Sequence, residues 1–195
     1  MRWLLRATAA ALFMFGIYLA SAVVSLDRLV EAARTGNGAA ILERTNLERL
    51  RHSLVDQVVS AYLIRTGQNR PVKPLERLLA NTYGTSIADA LISKMLTAEN
   101  LTDILQKGSL PAEGKGAQLS ALGEIDTSKV FPLIGRFSLV KPVEILVQTG
   151  DDEAAAGISL HFEGNGWKLS GINLPQKALR ELALGLLEPR QMRKG

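Results

Sequence analysis

The spacing of apolar residues divides the chain into three stretches. Arg2 and Arg6 precede an uncharged run from Ala7 to Leu26. At helical rise this run covers roughly 30 Å, about the hydrocarbon thickness of a bilayer. From Leu26 to Lys107 apolar positions recur at three and four, the helical period. From Phe131 onward the period is two, as in half-buried strands.

Within the helical stretch, Leu26, Leu29, Val30 and Ala33 continue the first helix until Gly36-Asn37-Gly38 stops it. A short helix over Ala39 to Arg44 follows. Asn46 then caps a longer helix, its side chain accepting from an orphan backbone N–H. Leu47, Leu50, Leu54, Val58 and Ala61 mark its apolar stripe, widened by Val55, Val59 and Tyr62, while Arg49, His52, Asp56 and Ser60 lie opposite. A stripe this broad packs on a sheet or on other helices. This helix should end near Gly67. Pro71 and Pro74 interrupt, and Leu75, Leu78 and Leu79 mark a short helix after them. Ser86 caps the next, with Ile87, Ala90, Leu91 and Met95 as its apolar side. Thr97 caps a further helix through Leu101, Ile104 and Leu105, stopped by Gly108. Gly108 to Gly123, rich in Gly, Ala, Ser and Lys, is a loop.

In the last stretch, strands cover Gly135 to Val140, Val143 to Gln148, Ile158 to Glu163 and the residues from Trp167. Lys141-Pro142 and Gly150-Asp151-Asp152 mark reversals. Asn165-Gly166 signals a tight hairpin with positive φ at both positions. The apolar phase shifts from Trp167 and Leu169 to Ile172 and Leu174, which predicts a bulge at Gly171. Pro175 opens a last helix with Leu179, Leu182 and Leu186 on its apolar face, and Pro189 closes it. The fold class is therefore α+β: an N-terminal membrane helix, helices packed on one face of a C-terminal antiparallel sheet, and a final helix. The expected division is a membrane segment over 1–26, one domain over 27–189 and a basic tail over 190–195.

The apolar leader has two readings. Arg2 and Arg6, the apolar centre Leu12 to Leu19 and the triplet Ala20-Ser21-Ala22 suit a cleavable signal, which would free the body into the periplasm after Ala22. Val23, Val24, Leu26, Leu29 and Val30 carry the apolar pattern past that triplet without a helix-breaker, which suits a retained anchor. Either way the two arginines stay in the cytoplasm and the body faces the other side. The expected address is a bacterial inner membrane, crossed once, with the C-terminal domain periplasmic.

Composition narrows the chemistry. The chain of 195 residues has no cysteine, which excludes disulfides, thiolate metal sites and cysteine nucleophiles. Its net charge of +4 is concentrated at the ends: without Arg2, Arg6, Arg190, Arg193 and Lys194, 18 basic residues face 19 acidic ones. The body, at −1, carries no footprint for nucleic acid. No cofactor motif is present. Gly36-Asn37-Gly38 begins like a dinucleotide fingerprint, but Ile41 takes the third glycine's place and a helix precedes it. His52 and Asp56, four apart, share one side of a helix, yet zinc needs a further ligand, and the other histidine, His161, is in a strand. Asp151-Asp152-Glu153 lacks the spaced oxygens of a calcium loop. Glu144, Glu163 and Asp126 are the nearest candidates for a hydrolase carboxylate pair, and Trp167 for ligand stacking against a core role at a strand end.

Leu26-Asp27-Arg28-Leu29, Ala32, Gly36-Asn37, Ala39-Ala40, Leu50-Arg51-His52-Ser53-Leu54 and Gln57, followed by Trp167-Lys168-Leu169 and Ile172-Asn173-Leu174-Pro175, form a familiar order. In it the chain resembles the bacterial domain-of-unknown-function family 2939. Thr45-Asn46 departs from that family's Val-Asp, though Asn caps a helix as Asp does. The resemblance implies a membrane segment and no known activity or catalytic residues, over nearly the whole chain. The function expected is a non-enzymatic, membrane-tethered module that binds an envelope protein or a small apolar ligand, in a helix-on-sheet cup analogous to the nuclear-transport-factor-2-like shape. The alternatives are an envelope hydrolase with a carboxylate pair and a structural subunit of an envelope complex.

Overall fold

A computed structural model describes residues 2–69, 85–108, 121–122, 125, 127, 135–149 and 157–185. The expected helix around Leu75, the tip at Asp151 to Glu153, Asp126, Leu186, Pro189 and the basic tail lie outside them. Six helices are described, α1 (Arg2–Arg34), α2 (Gly38–Glu43), α3 (Leu47–Asn69), α4 (Thr85–Met95), α5 (Ala98–Lys107) and α6 (Gln176–Gly185). Four strands, β1 (Phe137–Lys141), β2 (Glu144–Gln148), β3 (Gly157–Phe162) and β4 (Trp167–Asn173), form one antiparallel meander in chain order. The fold class is α+β, as the periodicities predict.

Capping follows the sequence closely. Asn37 accepts from the Ala40 N–H at 3.1 Å and Asn46 from the Arg49 N–H at 2.9 Å, so both start helices. Thr97 accepts from the Asn100 N–H at 3.2 Å, and Gly108, at φ +67°, ends α5 in the left-handed conformation that glycine adopts without strain. Ser86 lies inside α4 rather than at its cap. The buried side of α4 is Ala88, Ile92 and Met95, while Ile87 is 42% exposed. That helix is apolar on several sides, so its sequence alone allows more than one buried face.

The hairpin between β3 and β4 also differs from expectation. Phe162 pairs with Trp167, and four residues, Glu163 to Gly166, make the turn. Gly164 takes the left-handed conformation at φ +65°, and no residue other than glycine has positive φ among the described residues. A glycine on each side of Asn165 relieves it of that role. The bulge in β4 is present: Ser159 pairs with Gly171 and Leu160 with Leu169, leaving Ser170 as the extra residue. The bulge keeps Trp167, Leu169, Ile172 and Leu174 all buried despite the shift in phase.

The core lies between the helices and the sheet face carrying Ile145, Val147, Ile158, Leu160 and Leu169. Helix α3 runs against β4 and also packs on α4 and α6. The free edge of β4 is closed by two devices. Asn46 N–H donates to the Leu169 carbonyl and Leu169 N–H to the Arg44 carbonyl, both at 2.8 Å, so Thr45 forms a parallel one-residue bridge with Leu169. Farther along, the Gln57 amide reads the edge like a neighbouring strand. Its Nε2 donates to the Ile172 carbonyl and its Oε1 accepts from the Leu174 N–H, both at 2.9 Å. The approach is close because position 171 is glycine: a Cβ there would lie 3.0 Å from Ser53 Oγ.

Gln57→Ala leaves a backbone donor and an acceptor unpaired in a partly buried seam. Urea unfolding of the full chain in detergent should show a loss of about 2 kcal/mol. A change under about 0.5 kcal/mol, the range of an ordinary surface substitution, would contradict this role for Gln57.

Candidate functional site

Three aromatic side chains, Tyr18, Phe162 and Trp167, meet at one end of the sheet, where α1 meets it. Leu19 and Val23 are partly buried, while Ala22, Leu26, Leu29, Val30 and Ala33 are fully buried on the body's side of α1. The last residues of the expected membrane segment are thus shared with the folded body. Tyr18 packs on Phe162 and Trp167 with ring centroids 5.5 and 4.9 Å away, and those two rings lie 5.4 Å apart. Tilted and edge-on contacts of this kind suit the quadrupoles of the rings. Trp167 Nε1 donates to Ser21 Oγ at 3.0 Å, and Ser21 Oγ donates to the Tyr18 carbonyl at 2.6 Å. The Tyr18 hydroxyl donates to the Pro142 carbonyl in the β1–β2 turn. Trp167 is a core residue at a strand end, with its one polar atom satisfied from the leader helix.

The other candidates are dispersed. His52 and Asp56 are both exposed on α3. His161 is half-buried on β3, in a cross-strand row between Glu144 on β2 and Lys168 on β4. Glu144 is paired with Lys141 at 3.0 Å. Glu163 accepts from Asn46 Nδ2 and lies 3.7 Å from Arg49 and 3.9 Å from Lys168. It fastens the β3–β4 turn to the start of α3. No group of three metal-ligating side chains occurs among the described residues. Gly36-Asn37-Gly38 is a helix–helix corner, with Gly36 at φ +66° and Asn37 capping α2. An apolar cavity between α3, α4, α5, β4 and α6, lined by Leu54, Ile92, Met95, Ile104 and Leu182 among others, holds about 10 Å³. That is room for about one water, far below the hundreds of Å³ of a small-molecule site.

Sequence reasoning missed Tyr18 and Ser21, because both lie inside a run that looked wholly lipid-facing. The signal was present: these are the first two of three polar side chains, Ser25 being the third, that follow Thr8 in an otherwise apolar stretch.

The model of the family described as Protein of unknown function (DUF2939) matches residues 11–104. The match runs from within α1 to within α5 and is a likeness, over part of the chain, to the family that the motifs resemble. It stops before the sheet, so the Trp167 and Ile172 motifs lie outside it. No curated protein and no solved structure matches the chain. Gln57 and Ser53, in the matched part, are the residues that hold β4.

Tyr18→Ala removes a ring that bridges α1, β3, β4 and the β1–β2 turn. In detergent the full chain should lose about 2 kcal/mol of stability. Trp167 emission should shift to the red as solvent reaches the indole, and an unshifted spectrum would argue against the contact.

Proposed function

We propose that this chain is a non-enzymatic interaction module of the bacterial envelope, held on the periplasmic side of the inner membrane by a retained N-terminal helix. Among the described residues α1 is the one helix long and apolar enough to cross a membrane, which fits an anchor or a signal sequence. One observation favours the anchor: Tyr18, Ser21 and Ala22 are built into the body through Trp167, Phe162 and Pro142. Cleavage after Ala22 would remove all three and leave the Trp167 indole N–H without its acceptor. A module that discards its leader has no reason to build its fold around it.

The non-enzymatic part rests on how the polar side chains are used. Asn37, Asn46, Gln57 and Glu163 are all engaged in holding backbone or neighbouring elements together. The nearly filled apolar cavity favours an envelope protein over a small apolar ligand as the partner. Co-purification from detergent-solubilised membranes is the way to find that partner.

Mass spectrometry of the protein purified from membranes should find the N-terminus intact through Ala22. An alkaline phosphatase reporter fused after Gly195 should be active outside the cytoplasm. A mature chain beginning at Val23, or a fusion that is expressed but inactive, would overturn the proposal.

A further inference from the structure

The outward face of α1 carries a depth mark. Phe13, Ile17, Ala20 and Val24 follow each other at intervals of four, three and four and are all exposed. The same face continues at Asp27 and Glu31, both exposed and charged. Apolar surface therefore ends between Val24 and Asp27. Asp27 also accepts from the Thr127 hydroxyl at 2.6 Å, so the polar part of the body begins at this level. From Ala7 to Val24 the helix spans about 27 Å, close to a hydrocarbon core. From Ala7 to Ile17, the stem below the body, it spans only about 16 Å. The stem alone is too short to cross.

Tyr18 lies about 9 Å below Val24 along the helix. Whatever touches Tyr18 from the body therefore sits at the depth of the outer acyl chains. Besides the Phe162 and Trp167 rings, the β1–β2 turn touches it, through Pro142. Around that carbonyl Leu139 is 51%, Val140 56% and Val143 41% exposed, an apolar tip on a hairpin whose other exposed side chains include Lys141. Lys141 is 67% exposed and held 3.0 Å from Glu144, so its ammonium can reach headgroup phosphates while its stem lies along apolar surface. The Glu163–Gly166 turn at the same end is polar, which confines the immersed part to the β1–β2 side.

We infer that the β1–β2 hairpin tip, through Leu139, Val140 and Val143, is a second membrane contact that dips into the outer leaflet beside α1. The body is then seated in the bilayer surface in one orientation, not held away from it on a flexible tether. This inference rests on the retained anchor proposed above. It differs from that proposal in assigning lipid, rather than a protein, as the occupant of this apolar patch.

The absence of cysteine makes a site-specific test direct. Four full-length single-cysteine variants, F13C, V140C, V143C and T35C, are labelled with an environment-sensitive nitrobenzoxadiazole. They are reconstituted in phosphatidylethanolamine–phosphatidylglycerol vesicles with or without nitroxide-labelled lipid. Phe13 reports the anchor, and Thr35, past the far end of α1, reports the distal surface. The inference requires quenching at positions 140 and 143 several-fold above that at 35 and approaching that at 13. If the label at 13 is quenched while those at 140 and 143 match 35, the hairpin is not in lipid and the anchor stands. If the labels at 140 and 143 are shielded from water but unquenched, a protein covers the tip and the inference fails. If the label at 13 is itself unquenched, the anchor fails and this inference with it.

Discussion

One long helix has an exposed apolar face and a face buried against the body, and the rest of the molecule is arranged around that division. The α-helical period places Ala22, Leu26, Leu29 and Val30 on one side of α1 and Ile17, Val24, Asp27 and Glu31 on the other. The inner side is sealed against the sheet by tight packing, and by the Trp167–Ser21 and Tyr18–Pro142 hydrogen bonds. No glycine or proline lies between Gly16 and Gly36 to provide a hinge. The body therefore cannot turn independently of the apolar N-terminal part of α1.

The second point of dependence is the edge of β4. An unpaired strand edge invites pairing with other chains, and most sheets cover or blunt it. Here the covering comes from the helical part of the chain, which supplies a one-residue bridge at Thr45 and the carboxamide of Gln57. The glycine at 171 lets Ser53 come close enough for that amide to reach. The motif around Ser53 and Gln57 thus has a structural meaning. It joins the helices to a strand more than a hundred residues away, and the family match over residues 11–104 contains the helical partner of that joint.

Two carboxylates named as candidates, Glu144 and Glu163, take part in contacts between elements. Asn46 caps α3 and fastens Glu163. Glu163 in turn holds the β3–β4 turn near Arg49 and Lys168. Glu144 and His161 sit in a cross-strand row with Lys141 and Lys168 on the side away from the core. A cross-strand pair of opposite charge such as Lys141–Glu144 contributes about tenths of a kcal/mol to a sheet, and it needs no ligand to explain it. His52 and Asp56 face solvent, as a helix face opposite a broad apolar stripe must.

Local chemistry was legible in the chain by itself. Asn46 and Thr97 as caps, Gly108 as a stop, the bulge near Gly171 and the order of helices before strands all follow from interactions spanning a few residues. Such interactions form wherever the sequence permits them. Contacts between distant segments were not legible. The leader looked uniformly lipid-facing, because hydrophobicity does not distinguish lipid from a protein core. The Asn165-Gly166 signal was displaced by a neighbouring glycine that closed the hairpin better. The buried side of α4 was ambiguous, because apolar residues surround it. Which apolar surface of α1 meets the sheet, which side of α4 is buried, and that Gln57 should complete β4 were settled only when distant segments competed for the same buried surface.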